Sequence, residues 1–462
     1  MTAQLLLAGI LAGCTDTDPG PVTKPPAQEV SDNDPAMVPQ VTPADSEPAQ
    51  QEESAEDPQD EETVPVLRDA VRGDLGGFVG CAVTGSEIDD PGVWKIITTH
   101  FEAVTIGNEL KPDALFDYSV TNCPGTITDT LNGEEMTVPR MSYKRAEKIL
   151  DKFLDWNTQN PVRQIKIRGH VLVWHSQTPE WFFHEDYDKN KPYVSASEMD
   201  RRQEWYIKTV LEHFTGEDSK YKGMFYGWDV VNEAISDGTG SWRSDNENPG
   251  EPLSDDRHGS NSSWWHVYQS EEYIINAFKY ANKYAPSDLE LYYNDYNECV
   301  PKKKYGIIKL LEEIKAQEGV PGEGTRISAM GMQGHYSMDD PATTDLQSAI
   351  RQYSEIVGRV QLTEVDVRAS ADYDGSEAAK PAEYEKLAKR YNIIRLSVKN
   401  ANSDLQVVDG ITFWGTVDHY SWLQSRSNIG GGSTTGLPQC PLLFDEHYEP
   451  KPCFYVFAGS DE

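Results

Sequence analysis

Gly227-Trp228-Asp229-Val230-Val231-Asn232-Glu233-Ala234 runs largely apolar and then stops on an amide and a carboxylate. Met224-Phe225-Tyr226 upstream extends the apolar run, so the segment reads as a short buried strand. A buried strand ends on Asn-Glu only where those groups have somewhere polar to go. In a parallel sheet that place is the carboxyl end of the strand, where α/β enzymes keep their chemistry. The same residues also fit a plain helix start, with Glu233 as a first-turn acid favoured by the helix dipole. The rest of the chain has to decide between the two.

On both sides the texture is strand, loop, helix, repeated. Strands are expected at Gly76–Val83, Phe101–Thr105, Lys166–Trp174, the opening stretch, Leu289–Tyr293, Arg326–Met332, Arg359–Val365 and Asp409–Trp414. Helices are expected at Gly92–Thr99, Arg145–Trp156, Ser197–Phe214 (with a serine cap), Tyr273–Tyr284, Lys303–Gln317, Thr344–Tyr353 and Tyr384–Lys399. Eight strands alternating with helices point to an α/β fold, a (β/α)8 TIM barrel over residues 67–462. A doubly wound open sheet is the alternative, but no GxGxxG or Walker loop supports a nucleotide-binding version.

The preceding chain is different. Leu5 to Leu11 is too short to span a bilayer and ends in Leu11-Ala12-Gly13-Cys14, which resembles a bacterial lipobox with Cys14 as the lipidation site. The departure is that Met1-Thr2-Ala3-Gln4 carries no positive charge. Residues 15–66 are crowded with Pro, Asp, Glu, Gln, Ser and Thr and cannot bury enough apolar surface to offset their ordering entropy. They read as a disordered acidic tether, and the product as an exported protein, a cell-surface lipoprotein or secreted. A formal charge of −35 excludes nucleic acid and anionic membrane surfaces as partners, leaving the membrane reachable only through a lipid at Cys14. Eleven Trp and 23 Tyr suit a flat, apolar-faced ligand such as a sugar, and serve equally as core filler. Six cysteines form no CxxC pair, and Cys440 with Cys453 is the first pair to test for a disulfide.

Polar and aromatic residues recur at the carboxyl end of the expected strands: Asn108, Glu109 and Lys111; His170, Trp174, His175 and Gln177; Asn232 and Glu233; Asn294, Asp295 and Tyr296; Gln333 and His335; Glu364 and Asp366; Trp414, His419 and Trp422. Carboxylates on the fourth and seventh strands face each other across a barrel mouth, the arrangement that glycoside hydrolysis requires. Two such groups about 5 Å apart do not both ionise cheaply, so one keeps its proton near neutral pH. A metal site on His170, His175 and His335 lacks the tight spacing of HExxH, so no metal and no cofactor is expected.

The segments Arg168-Gly169-His170-Val171-Leu172-Val173-Trp174-His175-Ser176-Gln177-Thr178-Pro179, WDVVNEA, LYYNDYN, LTEVDV and FWGTVDHYSW, in this order, resemble glycoside hydrolase family 10, the retaining endo-β-1,4-xylanases with a TIM barrel. The resemblance covers roughly Leu67 to Gly459. It implies Glu233 as acid/base and Glu364 as nucleophile. It implies Asn232 as the partner of the sugar 2-hydroxyl, and His335, backed by Asp366, as the support of the nucleophile. Asn108, Lys111, His170, Trp174, Gln177 and Gln333 match groups that line the glycone subsites, and Trp414 and Trp422 match indoles that pack on sugar faces. Tyr296 joins them as a substrate contact. The implied partners are xylan and xylo-oligosaccharides, bound by a monomer. Other retaining β-1,4-glycanases, and a non-catalytic sugar-binding lipoprotein, are the competing readings.

Two departures from the family stand out. Gly107 occupies a position where a sugar-binding glutamate is common; Glu109, two residues on in an extended strand, points to the same side as a substitute. The long segment Asp237 to His266 is expected either to shape the aglycone side of the cleft or to be a surface excursion tied down by Trp264 or Trp265.

Overall fold

The computed structural model describes residues 64–251, 253, 259–424, 428–429, 432–433 and 438–459. Cys14, expected as a lipidation site, and residues 15–63 of the expected tether lie outside the described residues.

The eight expected strands form one closed parallel barrel: β1 (Phe78–Val83), β2 (Ala103–Ile106), β3 (Lys166–Gly169), β4 (Phe225–Asn232), β5 (Glu290–Asp295), β6 (Ala329–Met332), β7 (Val360–Arg368) and β8 (Val408–Phe413). Each pairs with its neighbour in sequence, and β8 returns to β1 through Phe78↔Gly410 to Cys81↔Phe413. Short extensions, Val173–Trp174 on β4 and His335–Ser337 on β7, lengthen the barrel at its carboxyl end only. All expected helices are present, with ends moved by a few residues. The one expected to open at Ser197 runs Ala196–Thr215, and its cap is Ser195, whose hydroxyl accepts from the Glu198 N–H at 3.2 Å.

The barrel interior is not purely apolar. The Arg168 guanidinium is fully buried, pairs with Asp229, donates to Gln361 Oε1 at 2.8 Å and lies 3.9 Å over the Tyr292 ring. Gln361 in turn donates to Tyr226 and Thr412. A buried cation is tolerated only with such pairing, so this layer links β3, β4, β5, β7 and β8 beneath the mouth. Outside it, Trp228 packs so closely on β3 that a Cβ on Gly169 would stand 2.0 Å from the indole. Glycine is required there.

Cys440 and Cys453 are not bridged: both are buried thiols. Cys453 Sγ–H donates to the Leu442 carbonyl, and burial pushes both thiols up to about 12. The junction is held instead by Lys451, whose amine reaches Asp418 Oδ2 at 2.7 Å and the Cys440 carbonyl at 2.8 Å.

Candidate active site

β4 sets the acid end of the site. Trp174 and Asn294 lie in register on either side of Asn232, so three strands bring their polar termini side by side. Glu233 follows immediately with φ +56°, a left-handed conformation that a glutamate adopts only when its surroundings enforce it. Its N–H is held by the Asn294 carbonyl at 2.9 Å, and its own carbonyl accepts Arg243 Nε at 2.8 Å. The chain therefore turns out of the strand at Glu233 rather than entering a helix, which excludes the helix-start alternative.

Three N–H groups converge on the half-buried Glu233 carboxylate. Asn232 Nδ2 and Gln333 Nε2 each donate to Oε1 at 3.0 Å, and Trp174 Nε1 donates to Oε2 at 3.0 Å. Asn294 Nδ2 then bridges Asn232 Oδ1 at 2.9 Å and Glu364 Oε1 at 2.7 Å, so the two carboxylates share one amide network.

Glu364 stands on β7, with its N–H on the Gln333 carbonyl at 2.7 Å. Its Oε2 lies 3.2 Å from His335 Nε2, while His335 Nδ1 lies 2.9 Å from Asp366 Oδ1 in the register pair His335↔Asp366. Burial alone would lower the imidazole pKa, but the Asp366 and Glu364 carboxylates push it up to about 10. Both ring nitrogens then donate. Burial likewise opposes charge on Glu364, yet the hydrogen bond from the His335 imidazolium, with the His170 ring nearby, holds its carboxyl below the usual range. Trp422 Nε1 donates to Asp366 Oδ2 at 2.7 Å and completes this side.

The remaining sequence-derived residues gather around this pair. Lys111 is buried and donates to Asn108 Oδ1 and Gln177 Oε1, each at 3.0 Å, with its amine 5.1 Å from the Trp174 ring centroid. Burial lowers its pKa, and Glu364, Asp113, Glu233 and Glu109 counter that. His170 Nδ1 lies 2.9 Å from Asp229 Oδ2, and its ring packs edge-on to Trp414 at 5.5 Å. His170 and His335 are thus each committed to carboxylates. Tyr296 is further out: its hydroxyl donates to Asp237 and accepts from Arg243 Nη2 at 3.4 Å.

Arg243 and Asp229 are partners of the site that the sequence did not assign, and Asn294 was placed at a strand end without a role. Asn294 stands in the LYYNDYN segment at a strand end and was readable as a site group. Arg243 was not, because it returns from the long segment after β4. That segment is pinned by Trp264, only 2% exposed, whose Nε1 donates to the Trp174 carbonyl at 3.2 Å. At the first departure, Glu109 is buried and accepts the Gly85 N–H at 2.7 Å. A Cβ at Gly107 would stand 3.3 Å from the Thr84 methyl, a tight contact.

A closed parallel barrel with two glutamates joined through amides at its carboxyl end defines a glycosidase of the (β/α)8 class. The family model for glycosyl hydrolase family 10 matches residues 67–460, and the chain belongs to that family. It is 35% identical over 302 residues to a putative endo-1,4-beta-xylanase of Caldicellulosiruptor saccharolyticus, covering 64% of this chain and 85% of the relative. It is 31% identical over 407 residues to endo-1,4-beta-xylanase A of Thermotoga neapolitana, covering 87% of this chain but only 31% of that longer relative. The CBM22-1-GH10 modules of a Clostridium thermocellum endo-1,4-beta-D-xylanase, solved with xylohexaose, superpose with a TM-score of 0.66 at 27% identity, over 86% of this chain and 67% of theirs.

Proposed function

We propose that the chain cleaves internal β-1,4-xylosidic linkages of xylan and xylo-oligosaccharides with retention of configuration, Glu364 acting as nucleophile and Glu233 as acid/base. The observation that carries this reading is the pairing of Glu364 with the His335 imidazolium while an amide bridge ties it to Glu233. Glu364 attacks the anomeric carbon and forms a glycosyl ester; Glu233 gives its proton to the departing oxygen. Glu233 then takes a proton from water, which attacks the ester and releases the product from Glu364. His335 and Asp366 keep the nucleophile ionised and oriented. Asn232 offers its amide to the sugar 2-hydroxyl. Asn108, Lys111, Gln177 and His170 supply polar contacts on the glycone side, and Trp174, Trp414 and Trp422 pack on pyranose C–H faces. Family membership and the substrates named for the relatives support xylan over other β-1,4-glycans.

Parallel hydrolysis of xylan and carboxymethyl cellulose tests the substrate assignment. Faster turnover of the cellulose derivative overturns it. Export and anchoring through a lipidated Cys14 rest on Leu11-Ala12-Gly13-Cys14 alone. Mass spectrometry of the mature N-terminus tests them, and an unmodified Cys14 in membrane-extracted protein refutes the anchor. Both carboxylates and all the named sugar contacts come from one barrel, which supports action as a monomer.

A further inference from the structure

The helix Pro301–Ala316 follows β5 within a few residues, so its first turns stand on the same face as the active site. Residues 235–242 leave β4 just after Glu233 and run against those turns. The contact is backbone on backbone: a Cβ on Gly306 would lie 2.3 Å from the Gly240 carbonyl oxygen, and one on Gly240 2.5 Å from that of Lys302. Between the two segments lies a pocket of about 380 Å³ whose walls include Thr239, Ser241, Trp242, Lys302, Tyr305 and Lys309.

Its chemistry is distinct from that of the cleft. Tyr305 is 70% exposed beside the half-buried Trp242, so two aromatic rings border one opening. Lys309 holds its amine 5.4 Å from the Trp242 ring centroid and has Glu313 at 3.8 Å, one turn further along the helix. Lys302 donates to the Gly238 carbonyl. In a chain with a formal charge of −35, two amines at an aromatic-bordered pocket form a local exception. The position ties it to the acid/base. Ile235 bridges Trp242, the Arg243 N–H donates to Ala234 at 2.8 Å, and the Arg243 side chain grips the Glu233 carbonyl. The glycone contacts follow β2, β3, β6 and β8, whereas the segments that wall this pocket follow β4 and β5.

We propose that this pocket is an accessory polysaccharide site on the leaving-group side, which takes a pyranose bearing a carboxylate: a uronic acid branch on the xylan chain. The reading rests on xylan as the substrate. The rings pack on the C–H face of a sugar, the Lys302 and Lys309 amines donate to its carboxylate, and the Thr239 and Ser241 hydroxyls supply further hydrogen bonds.

Affinity electrophoresis of the full chain, in a Glu364→Ala background that prevents turnover, tests it with uronic-acid-branched xylan and the same polymer after reduction of its carboxyl groups. Tyr305→Ala and the double variant Lys302→Gln/Lys309→Gln are each compared with the parent. The expected result is a dissociation constant for the branched polymer raised about fivefold to tenfold in both. The parent binds the reduced polymer more weakly, and the lysine variant leaves that weaker binding unchanged. In the Glu364-intact protein, xylohexaose turnover stays at the parental rate in both variants. Equal retention of parent and variants on the branched polymer overturns the proposal. So does a parent that binds native and reduced polymer alike. Failure of the intact enzyme to cleave xylohexaose overturns the assigned activity instead, and the electrophoresis still decides the pocket.

Discussion

His335→Gln isolates the charge on which the nucleophile depends. In the native site the imidazolium lies 3.2 Å from Glu364 and 2.9 Å from Asp366, so one cation balances two buried carboxylates. A glutamine amide can still donate to one of them but brings no charge. A charge-assisted hydrogen bond has about twice the strength of a neutral one, and bonds to charged groups contribute about 1.5–3 kcal/mol, so the hydrogen-bond loss is about 0.8–1.5 kcal/mol. The Coulomb attraction over such a separation, at an effective dielectric near 20, sets a ceiling of about 5 kcal/mol. At about 1.4 kcal/mol per pH unit, the acid limb of kcat/KM moves up by about half a pH unit at least and by about three and a half at the ceiling. The assay is hydrolysis of an aryl β-xylobioside across pH, with circular dichroism to establish that the variant is folded. Stability responds with a defined sign. Because His335 is raised from 6.5 to about 10, its charge adds stability that is complete below pH 6.5 and is lost as pH rises through about 10. Urea midpoints of the wild type therefore fall more steeply than those of the variant over that window. Superimposable acid limbs in a folded His335→Gln protein would refute the reasoning.

Glu364→Ala loses turnover on every substrate, whereas Glu233→Ala spares aryl glycosides with good leaving groups, which need little protonation; equal losses on xylan and on such a glycoside contradict the acid/base assignment. Gly169→Ala drives a methyl into Trp228 and lowers stability by about 1–3 kcal/mol in urea denaturation, with parental KM in the fraction that folds. Lys451→Met strands Asp418, 2.7 Å away and buried, and costs about 3–5 kcal/mol; Lys451→Met/Asp418→Leu recovers most of that loss, and a double variant no more stable than the single one denies the pairing.

Much of the architecture was legible because its signals are local and repeated. The apolar runs of β4, β5 and β7 end on polar groups at the same side of the sheet, and that regularity survives small errors in strand ends. Other elements escaped for identifiable reasons. The hairpin Thr126–Leu131 with Glu134–Pro139 lay inside what read as loop, although its Asn132-Gly133 turn, with φ of +52° and +87°, is a strong sequence signal for such a hairpin. Gly76 looked like the start of β1 but caps the helix Leu67–Leu75 with φ +75°. Arg168 and Gln361 sit in segments that read as buried strand. That their polar groups meet one another at the centre of the barrel depends on closure, which no local pattern encodes. In the site, Asn232, Glu233 and His335 were found because each ends a strand or follows one, and Glu364 because it is a carboxylate near the carboxyl end of the expected strand. Arg243 and its grip on Glu233 depend on a return of the chain from the segment after β4, where the sequence carries no periodicity. Spacing made Glu109 a substitute for the side chain missing at Gly107; its contact with Gly85 is a matter of loop packing.

The most direct test of the central claim is proton NMR of xylan hydrolysis followed from the first minutes. A double displacement through Glu364 predicts that new reducing ends appear first as the β-anomer, inside shortened chains rather than as released monomer. Initial appearance of the α-anomer would mean a single displacement, with Glu364 activating water instead of attacking the sugar, and would contradict the account.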